Sequence, residues 1–134
     1  MRRIDKIIVH CTATPQGRKV TVRDVDRWHK QRGWKGIGYH YLIGLNGEIW
    51  EGRKEWQVGA HVAGFNRYSI GVAYVGGLVN GKPADTRTPE QKKSLLKIIR
   101  ELKSRYHGAK VYGHRDFANK ACPCFDARTE YANI

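Results

Sequence analysis

Short apolar runs alternate along the chain with two stretches of helical periodicity. The runs over residues 4–9, 69–75 and 110–112 have the length of buried strands. After residues 21 and 88 the apolar residues instead recur every three or four positions, which is the spacing of an amphipathic helix. The pattern therefore predicts strands and helices that interleave along the chain.

The first predicted helix follows Thr21, which can cap its first turn, and Gly33 can end it. Three apolar residues lie on one face of this helix, namely Val22, Val25 and Trp28. We therefore expect Trp28 to lie in the core and the adjacent His29 to face solvent.

The second predicted helix has the clearest boundaries in the sequence. Thr88 can cap it, Pro89 occupies its first position, and Gln91 completes a capping box with Thr88. Gly108 can terminate it. Its apolar stripe consists of Leu95, Ile98, Ile99, Leu102 and Tyr106.

The dipeptide Asn46-Gly47 separates two strand-like segments over residues 39–45 and 48–51, a pattern typical of a β-hairpin with a type I′ turn. An antiparallel hairpin among interleaved strands and helices implies a mixed sheet. We predict an α/β fold with a mixed central β-sheet, helices packed on it, and a single domain over residues 1–134.

Composition adds a strong positive charge to this picture. The 134 residues include 25 Lys and Arg against 12 Asp and Glu, a formal charge of +13. The excess lies at the two ends of the chain, whereas residues 41–86 carry equal numbers of each sign. Such a charge favours anionic partners, such as nucleic acid, anionic lipid or an anionic cell-envelope polymer.

Several function classes and partners are disfavoured by the same residues. The apolar runs are too short for a membrane span, and Asp5 and Lys6 interrupt the only run that resembles part of a signal peptide. The aromatic residues do not alternate with the basic ones as a stacking platform for nucleic acid would require. Three cysteines are an odd number, so at least one is free, bound to metal or paired between molecules.

The candidate chemistry lies at predicted strand ends. His10 ends the first strand, His114 follows the last one, and Cys122 stands in a loop shortly after. Two imidazoles and a thiolate suit zinc and leave a fourth position open, as catalytic zinc sites do. The alternative is that His10 is a core histidine and Cys122 a small buried apolar residue, because isolated His and Cys residues often have structural roles.

Five segments together resemble the zinc-dependent N-acetylmuramoyl-L-alanine amidases, the family that includes phage lysozymes of the amidase type and peptidoglycan recognition proteins. The segments are IIVHCTAT, VRDVDRWHKQRGW, IGYHYLIGLNGEIWEGR, VGAHVAGFNRYSIGV and YGHRDFANKACPCFD. They are distributed along nearly the whole length of the chain, in the family's order. The resemblance implies a peptidoglycan hydrolase that cleaves between N-acetylmuramic acid and L-alanine.

Carried over by position, the resemblance assigns His10, His114 and Cys122 as ligands of one zinc ion per chain. It also implies that Tyr39 and Lys120 are catalytic, with the proton shuttle left open between them. The chain departs from the similar phage enzymes at Cys124, where they carry serine. Cys124 could compete for the metal, but Pro123 makes it awkward for both thiolates to bind one ion, so Cys122 is the expected ligand.

The same resemblance places a substrate groove near His61 and Asn66. The alternative for these two residues is a structural turn, because Gly and Asn are common turn residues. Trp34 could stack on a sugar or simply cover the core. His40 follows Tyr39 in a strand and so faces the opposite side, which indicates a structural role.

These observations favour a catalytic amidase over a non-catalytic peptidoglycan-binding module, because relatives that only bind often lack the cysteine ligand. We expect peptidoglycan and anionic envelope polymers as partners, no nucleic acid, and a monomer. We also expect synthesis in the cytoplasm without a signal peptide, followed by action on the cell wall or in the periplasm, as for an endolysin.

Overall fold

The computed structural model describes residues 2–134. Its secondary structure elements, in chain order, are β1 (Lys6–Cys11), β2 (Thr14–Pro15), α1 (Val22–Gln31), β3 (Tyr41–Ile43), β4 (Ile49–Glu51), β5 (Ser69–Tyr74), β6 (Gly77–Val79), β7 (Lys82–Pro83), α2 (Pro89–Arg105), β8 (Lys110–Gly113), a 3₁₀ helix (His114–Asp116) and α3 (Ala127–Glu130). The predicted mixed α/β fold is confirmed.

The central sheet has the strand order β4-β3-β5-β1-β8. β1 lies in its interior and pairs in parallel with both β5 and β8, whereas β4 is antiparallel to β3. The register places Val9 beside both Val72 and Gly113. Because β1 and β8 are parallel neighbours, their carboxyl ends meet at one edge of the sheet.

The two faces of the central sheet pack against different helices. Val9 and Val72 belong to a large core that includes the apolar stripe of α2. Ala73 and Val75 belong to a smaller core with Val25 of α1. Side chains alternate between the faces along a strand. His10, which follows Val9, therefore points to the α1 face of the sheet, opposite α2.

Both predicted helices begin at their predicted caps. The side chain of Thr88 accepts a hydrogen bond from the amide of Gln91, and the side chain of Gln91 accepts one from the amide of Thr88. The burial on α1 differs from the prediction. His29 is buried, with 6% exposure, whereas Trp28 is half-buried. The prediction for His29 is wrong because the loop after α1 folds back over this histidine.

The β3–β4 hairpin forms, but its turn is not type I′. The amide of Gly47 donates to the carbonyl of Gly44, and the amide of Gly44 donates to the carbonyl of Glu48. Gly47 has a φ of 85°, and Asn46 is not among the residues of positive φ in the described part of the chain. The loop is therefore a longer turn that ends in a left-handed glycine.

A second, three-stranded sheet with the order β2-β6-β7 was not predicted, because its strands are only two or three residues long. Within residues 2–134, no helix has the length and apolar character needed to cross a membrane.

Candidate active site

Two parallel strands and one loop bring the candidate ligands together. His10 lies near the end of β1, and His114 begins the 3₁₀ helix directly after β8. The loop that carries Cys122 is tied back to this edge, because the amide of Arg115 donates to the carbonyl of Cys122 at 2.8 Å. The amide of Cys11 also donates to Cys122 Sγ at 3.2 Å. The sulfur is thereby held beside the end of β1.

The three donor atoms have the spacing that a tetrahedral metal site needs. His10 Nδ1 lies 3.2 Å from His114 Nδ1 and 3.9 Å from Cys122 Sγ. All three ligand atoms lie within 4.8 Å of one another. Tetrahedral zinc with bonds of about 2.0–2.3 Å requires donor separations of roughly 3.3–3.7 Å. The donor set therefore fits zinc after small side-chain adjustments.

The surroundings also favour the charge states that metal ligands require. Burial, together with the nearby His61 and His114 rings, holds the pKa of His10 well below its usual value. Burial and then the charge of Lys120 lower the pKa of His114. Both imidazoles are consequently neutral near pH 7, and neutral imidazole is the form that binds metal.

The Cys122 thiol is shifted toward the thiolate. Contact with the Cys11 thiol is the largest effect and lowers the pKa of Cys122. The hydrogen bond from the Cys11 backbone amide and the charge of Lys120 also lower this pKa, whereas burial raises it. The other two thiols behave differently, because burial raises the pKa of Cys124 to about 12 and contact with Cys122 raises that of Cys11. Cys122 is therefore the best metal ligand among the three cysteines.

Tyr39 and Lys120 both line the cavity that contains the candidate ligands. The half-buried Tyr39 ring is centred 5.1 Å from the His10 ring, and burial raises the pKa of its phenol. Tyr39 is thus a hydrogen-bond donor near pH 7 and a poor base. Lys120 is exposed, and its charge acts on both His10 and His114.

A groove opens directly above the candidate ligands, and we use this word for two adjoining cavities. The inner cavity, of about 180 Å³, is lined by the three candidate ligands and Tyr39. The outer one has a volume of about 460 Å³ and extends to Asn66 and Phe117. The residues that line both cavities are Arg32, Trp34, Ala60, His61, His114 and Lys120.

Trp34 forms part of the groove wall and is 36% exposed. Its ring packs edge-on against the buried His29 at 4.7 Å, and the guanidinium of Arg32 lies 5.5 Å from its centre. One side of the indole thus covers the core, while the rest remains open to the groove. Both functions predicted for Trp34 are compatible with this position.

His61 and Asn66 line the groove but make contacts within the protein. Asn66 Oδ1 accepts hydrogen bonds from the amides of His61 and Val62, at 2.9 and 2.8 Å. These bonds form the structural turn that was the alternative prediction. His61 is 8% exposed, and its ring contacts both His10 and Ser69.

His40 occupies a structural position, as its place in the sequence indicated. Its Nδ1 accepts a hydrogen bond from the amide of Gly71 at 3.0 Å, and its Nε2 lies 2.8 Å from the carbonyl of Gln57. These contacts attach the loop after β4 to β5. The ring is fully buried.

Sequence reasoning missed two groups of the groove wall. Phe117 lines the outer cavity and packs against Phe65, with ring centres 4.4 Å apart. Arg32 lines both cavities. The half-buried Phe117 lies in a loop and the exposed Arg32 at the end of α1, and neither position follows a periodic pattern, so only the fold brings them to the groove.

The chain is similar to known proteins over a region that includes all the residues of the candidate site. The family model described as N-acetylmuramoyl-L-alanine amidase matches residues 1–125, which include the three candidate ligands. The endolysin of Klebsiella phage KP32 is 44% identical over 124 residues, covering 92% of this chain and 82% of that protein. The endolysin of Escherichia phage T7 is 43% identical over 125 residues, covering 92% and 83%.

A solved structure shows the same fold. The N-acetylmuramoyl-L-alanine amidase LysC from Clostridium intestinale URNW superposes with a TM-score of 0.83 at 33% identity. The superposition covers 96% of this chain and 82% of that one.

Proposed function

The chain belongs to the N-acetylmuramoyl-L-alanine amidase family, and from this premise we propose that it is a zinc-dependent peptidoglycan hydrolase. It cleaves the amide bond between N-acetylmuramic acid and L-alanine of the stem peptide. One zinc ion per chain would be held by His10, His114 and Cys122. The observation that carries the zinc assignment is that these three donors lie within 4.8 Å of one another beneath an open groove.

Amide hydrolysis needs a nucleophile and relief of the negative charge that develops on the carbonyl oxygen. When bound, zinc supplies Lewis acidity, which polarises a carbonyl and activates water. Lys120, which lines both cavities of the groove, adds a positive charge that favours the same oxyanion. Tyr39 keeps its proton and donates a hydrogen bond toward the reacting groups, because burial raises its pKa. Of the two residues considered for the proton shuttle, Tyr39 is the poorer base.

The groove provides a place for an extended substrate. Its outer cavity passes from His114 and Lys120 toward Trp34 and Phe117. Aromatic surfaces of this kind contact the apolar faces of sugars and peptide side chains. We assign substrate contact to Trp34, whereas His61 and Asn66 shape the groove wall through their contacts within the protein, in a single catalytic domain of residues 1–134.

The cell wall is the place of action that this function requires. The positive charge of the chain favours retention on anionic envelope polymers as well as on peptidoglycan. We further propose that the protein acts as a monomer and reaches the wall as endolysins do. The groove contains all the proposed catalytic groups from one chain.

Mass spectrometry of purified peptidoglycan digested by the protein tests the reaction. We expect stem peptides that begin with a free L-alanine amine, together with glycan strands that remain uncut. New reducing ends on the glycan without release of stem peptides would contradict the amidase function. Binding to peptidoglycan without any release of stem peptides would instead support the non-catalytic binding module.

A further inference from the structure

The imidazole of His61 contacts the candidate ligand His10 on the side away from the metal site. His61 Nδ1 lies 2.8 Å from His10 Nε2, and His61 Nε2 lies 3.2 Å from Ser69 Oγ. We infer that His61 is a positioning residue that fixes the ring orientation and the tautomer of His10 through this hydrogen bond. The inference rests on the proposed metal site, because it concerns how one of its ligands is held.

The hydrogen-bond pattern selects one tautomer for each ring. His10 Nδ1 faces His114 Nδ1 and Cys122 Sγ, so this nitrogen must be unprotonated to bind a metal. The proton of His10 then lies on Nε2 and is donated to His61 Nδ1. His61 in turn carries its proton on Nε2 and donates it to Ser69 Oγ. A metal-bound histidine is commonly oriented by such an acceptor on its second nitrogen.

The protein leaves His61 little freedom to move. A side-chain carbon at Gly71 would lie 2.7 Å from the His61 ring, and one at Gly59 would also lie 2.7 Å from it. The backbone amide of His61 is fixed by Asn66 Oδ1. The His61 ring therefore packs directly against the backbone at Gly59 and Gly71, where there is no room for a side chain. This packing fixes the position of the ring before any ligand binds.

The same contacts argue against a direct contact of His61 with substrate. Both ring nitrogens have partners within the protein, namely His10 and Ser69. Only 8% of the residue is exposed, although part of it lines the groove. A hydrogen bond from His61 to a stem peptide would require one of these internal contacts to break.

Zinc affinity of the full chain, measured by competition with a chromophoric chelator, tests the inference. His61→Phe removes the acceptor, and we expect zinc affinity to fall by about 10–100-fold, the effect typical of losing such a partner. His61→Asn places its side-chain oxygen near the position of Nδ1 and should recover part of the loss. Ser69→Ala should cause a smaller loss, because it removes only the acceptor of His61.

His40→Asn is the matched control, because it alters a buried histidine whose Nδ1 accepts from Gly71. We expect this variant to bind zinc like the wild type. The absorption spectrum of the cobalt-substituted protein gives a second readout. It should change in His61→Phe if the His10 ring rotates, and remain unchanged in His40→Asn.

These measurements distinguish failure of the inference about His61 from failure of the proposed metal site. Unchanged zinc affinity in His61→Phe, with a raised KM, would overturn the inference and support the substrate contact. Unchanged zinc affinity in Cys122→Ala would instead overturn the proposed metal site. If His61→Phe does not fold, Ser69→Ala and His61→Asn decide: wild-type zinc affinity and cobalt spectra in both would overturn the inference.

Discussion

The three cysteines lie close together, but their sulfur atoms face different surroundings. Cys122 Sγ lies 3.9 Å from His10 Nδ1 and accepts a hydrogen bond from the Cys11 amide. Cys124 Sγ lies 3.5 Å from the carbonyl of Gly77 and 3.9 Å from Cys11 Sγ. The Cys124 sulfur therefore contacts the Cys11 sulfur, whereas the Cys122 sulfur is the one that lies beside the two candidate histidine ligands.

Replacing each of the two neighbouring cysteines separates their roles. Cys122→Ala should reduce bound zinc from about one ion per chain to a small fraction and abolish release of stem peptides, because only two ligands remain. The variant should also unfold at a lower temperature than the zinc-loaded wild type, since metal binding stabilises the fold. Cys124→Ser is the control and should retain both zinc and activity. Elemental analysis and the peptidoglycan assay measure both outcomes, and loss of zinc in Cys124→Ser would contradict the assignment.

The elements that position the ligands could be predicted from the sequence, because strand ends are local features. The apolar run before His10 and the run before His114 each mark a buried strand, and parallel strands bring their carboxyl ends to one edge. The spacing alone favoured structural roles for these residues over a zinc site, because the three ligands lie far apart in the sequence. The family resemblance, which covers most of the chain, was needed to choose Cys122.

Contacts between a helix and a distant loop were less predictable. The apolar pattern of α1 indicated Trp28 for the core, yet the loop after the helix folds over the neighbouring His29. The amide of Gly38 donates to His29 Nδ1 at 2.8 Å, and Trp34 packs on the ring. The hydrogen bond between His61 and His10 likewise joins a loop residue to a distant element. Both depend on loop paths that no periodicity encodes.

The contact between α1 and its following loop makes stability depend on pH. Burial, with the positive charges of Arg32 and Arg53, lowers the pKa of His29 to about 4 in the folded protein. The unfolded chain binds this proton near pH 6.5, so stability is complete above that pH and is lost as the pH falls toward 4. The loss from this group is about 1.4 kcal/mol per pH unit in the steep part of the window.

His29→Asn tests this dependence, because its side-chain oxygen can still accept from the Gly38 amide while the residue no longer binds a proton. We expect the free energy of unfolding of the variant to depend less steeply on pH between 6 and 5, by roughly 1 kcal/mol per pH unit. Urea unfolding in the presence of a chelator gives the values for both proteins without a metal contribution. Parallel pH profiles for the wild type and the variant would show that His29 does not carry the effect.

At the scale of the whole molecule, part of the excess positive charge lies on α2, away from the groove. The long helix α2 packs on the face of the central sheet opposite His10, and its outer surface is basic. Lys93, Lys97 and Arg100 are exposed and recur at helical spacing along this surface. This arrangement suits electrostatic attraction to an anionic envelope, because charges remote from the groove can hold the protein without obstructing the substrate.

Reversing these three charges on α2 tests whether they hold the protein on the envelope without affecting the reaction in the groove. The triple change Lys93→Glu, Lys97→Glu and Arg100→Glu lowers the formal charge from +13 to +7, two units for each reversal. We expect binding to cell walls at low salt to weaken by at least about tenfold, while kcat/KM on a small soluble muramoyl peptide stays near the wild-type value. The difference should shrink at high salt, because the Debye length falls from about 10 Å at 0.1 M to about 3 Å at 1 M.

A charge-preserving variant separates the effect of charge from that of altered helix packing. Lys93→Arg with Lys97→Arg keeps the formal charge and should bind walls like the wild type at every salt concentration. The wild-type protein should itself lose wall binding with salt more steeply than it loses turnover of the soluble peptide, because only the first depends on long-range attraction. If both assays share one salt dependence, or if the triple reversal leaves wall binding unchanged, α2 has no part in retention, and the attraction must come from charges around the groove itself.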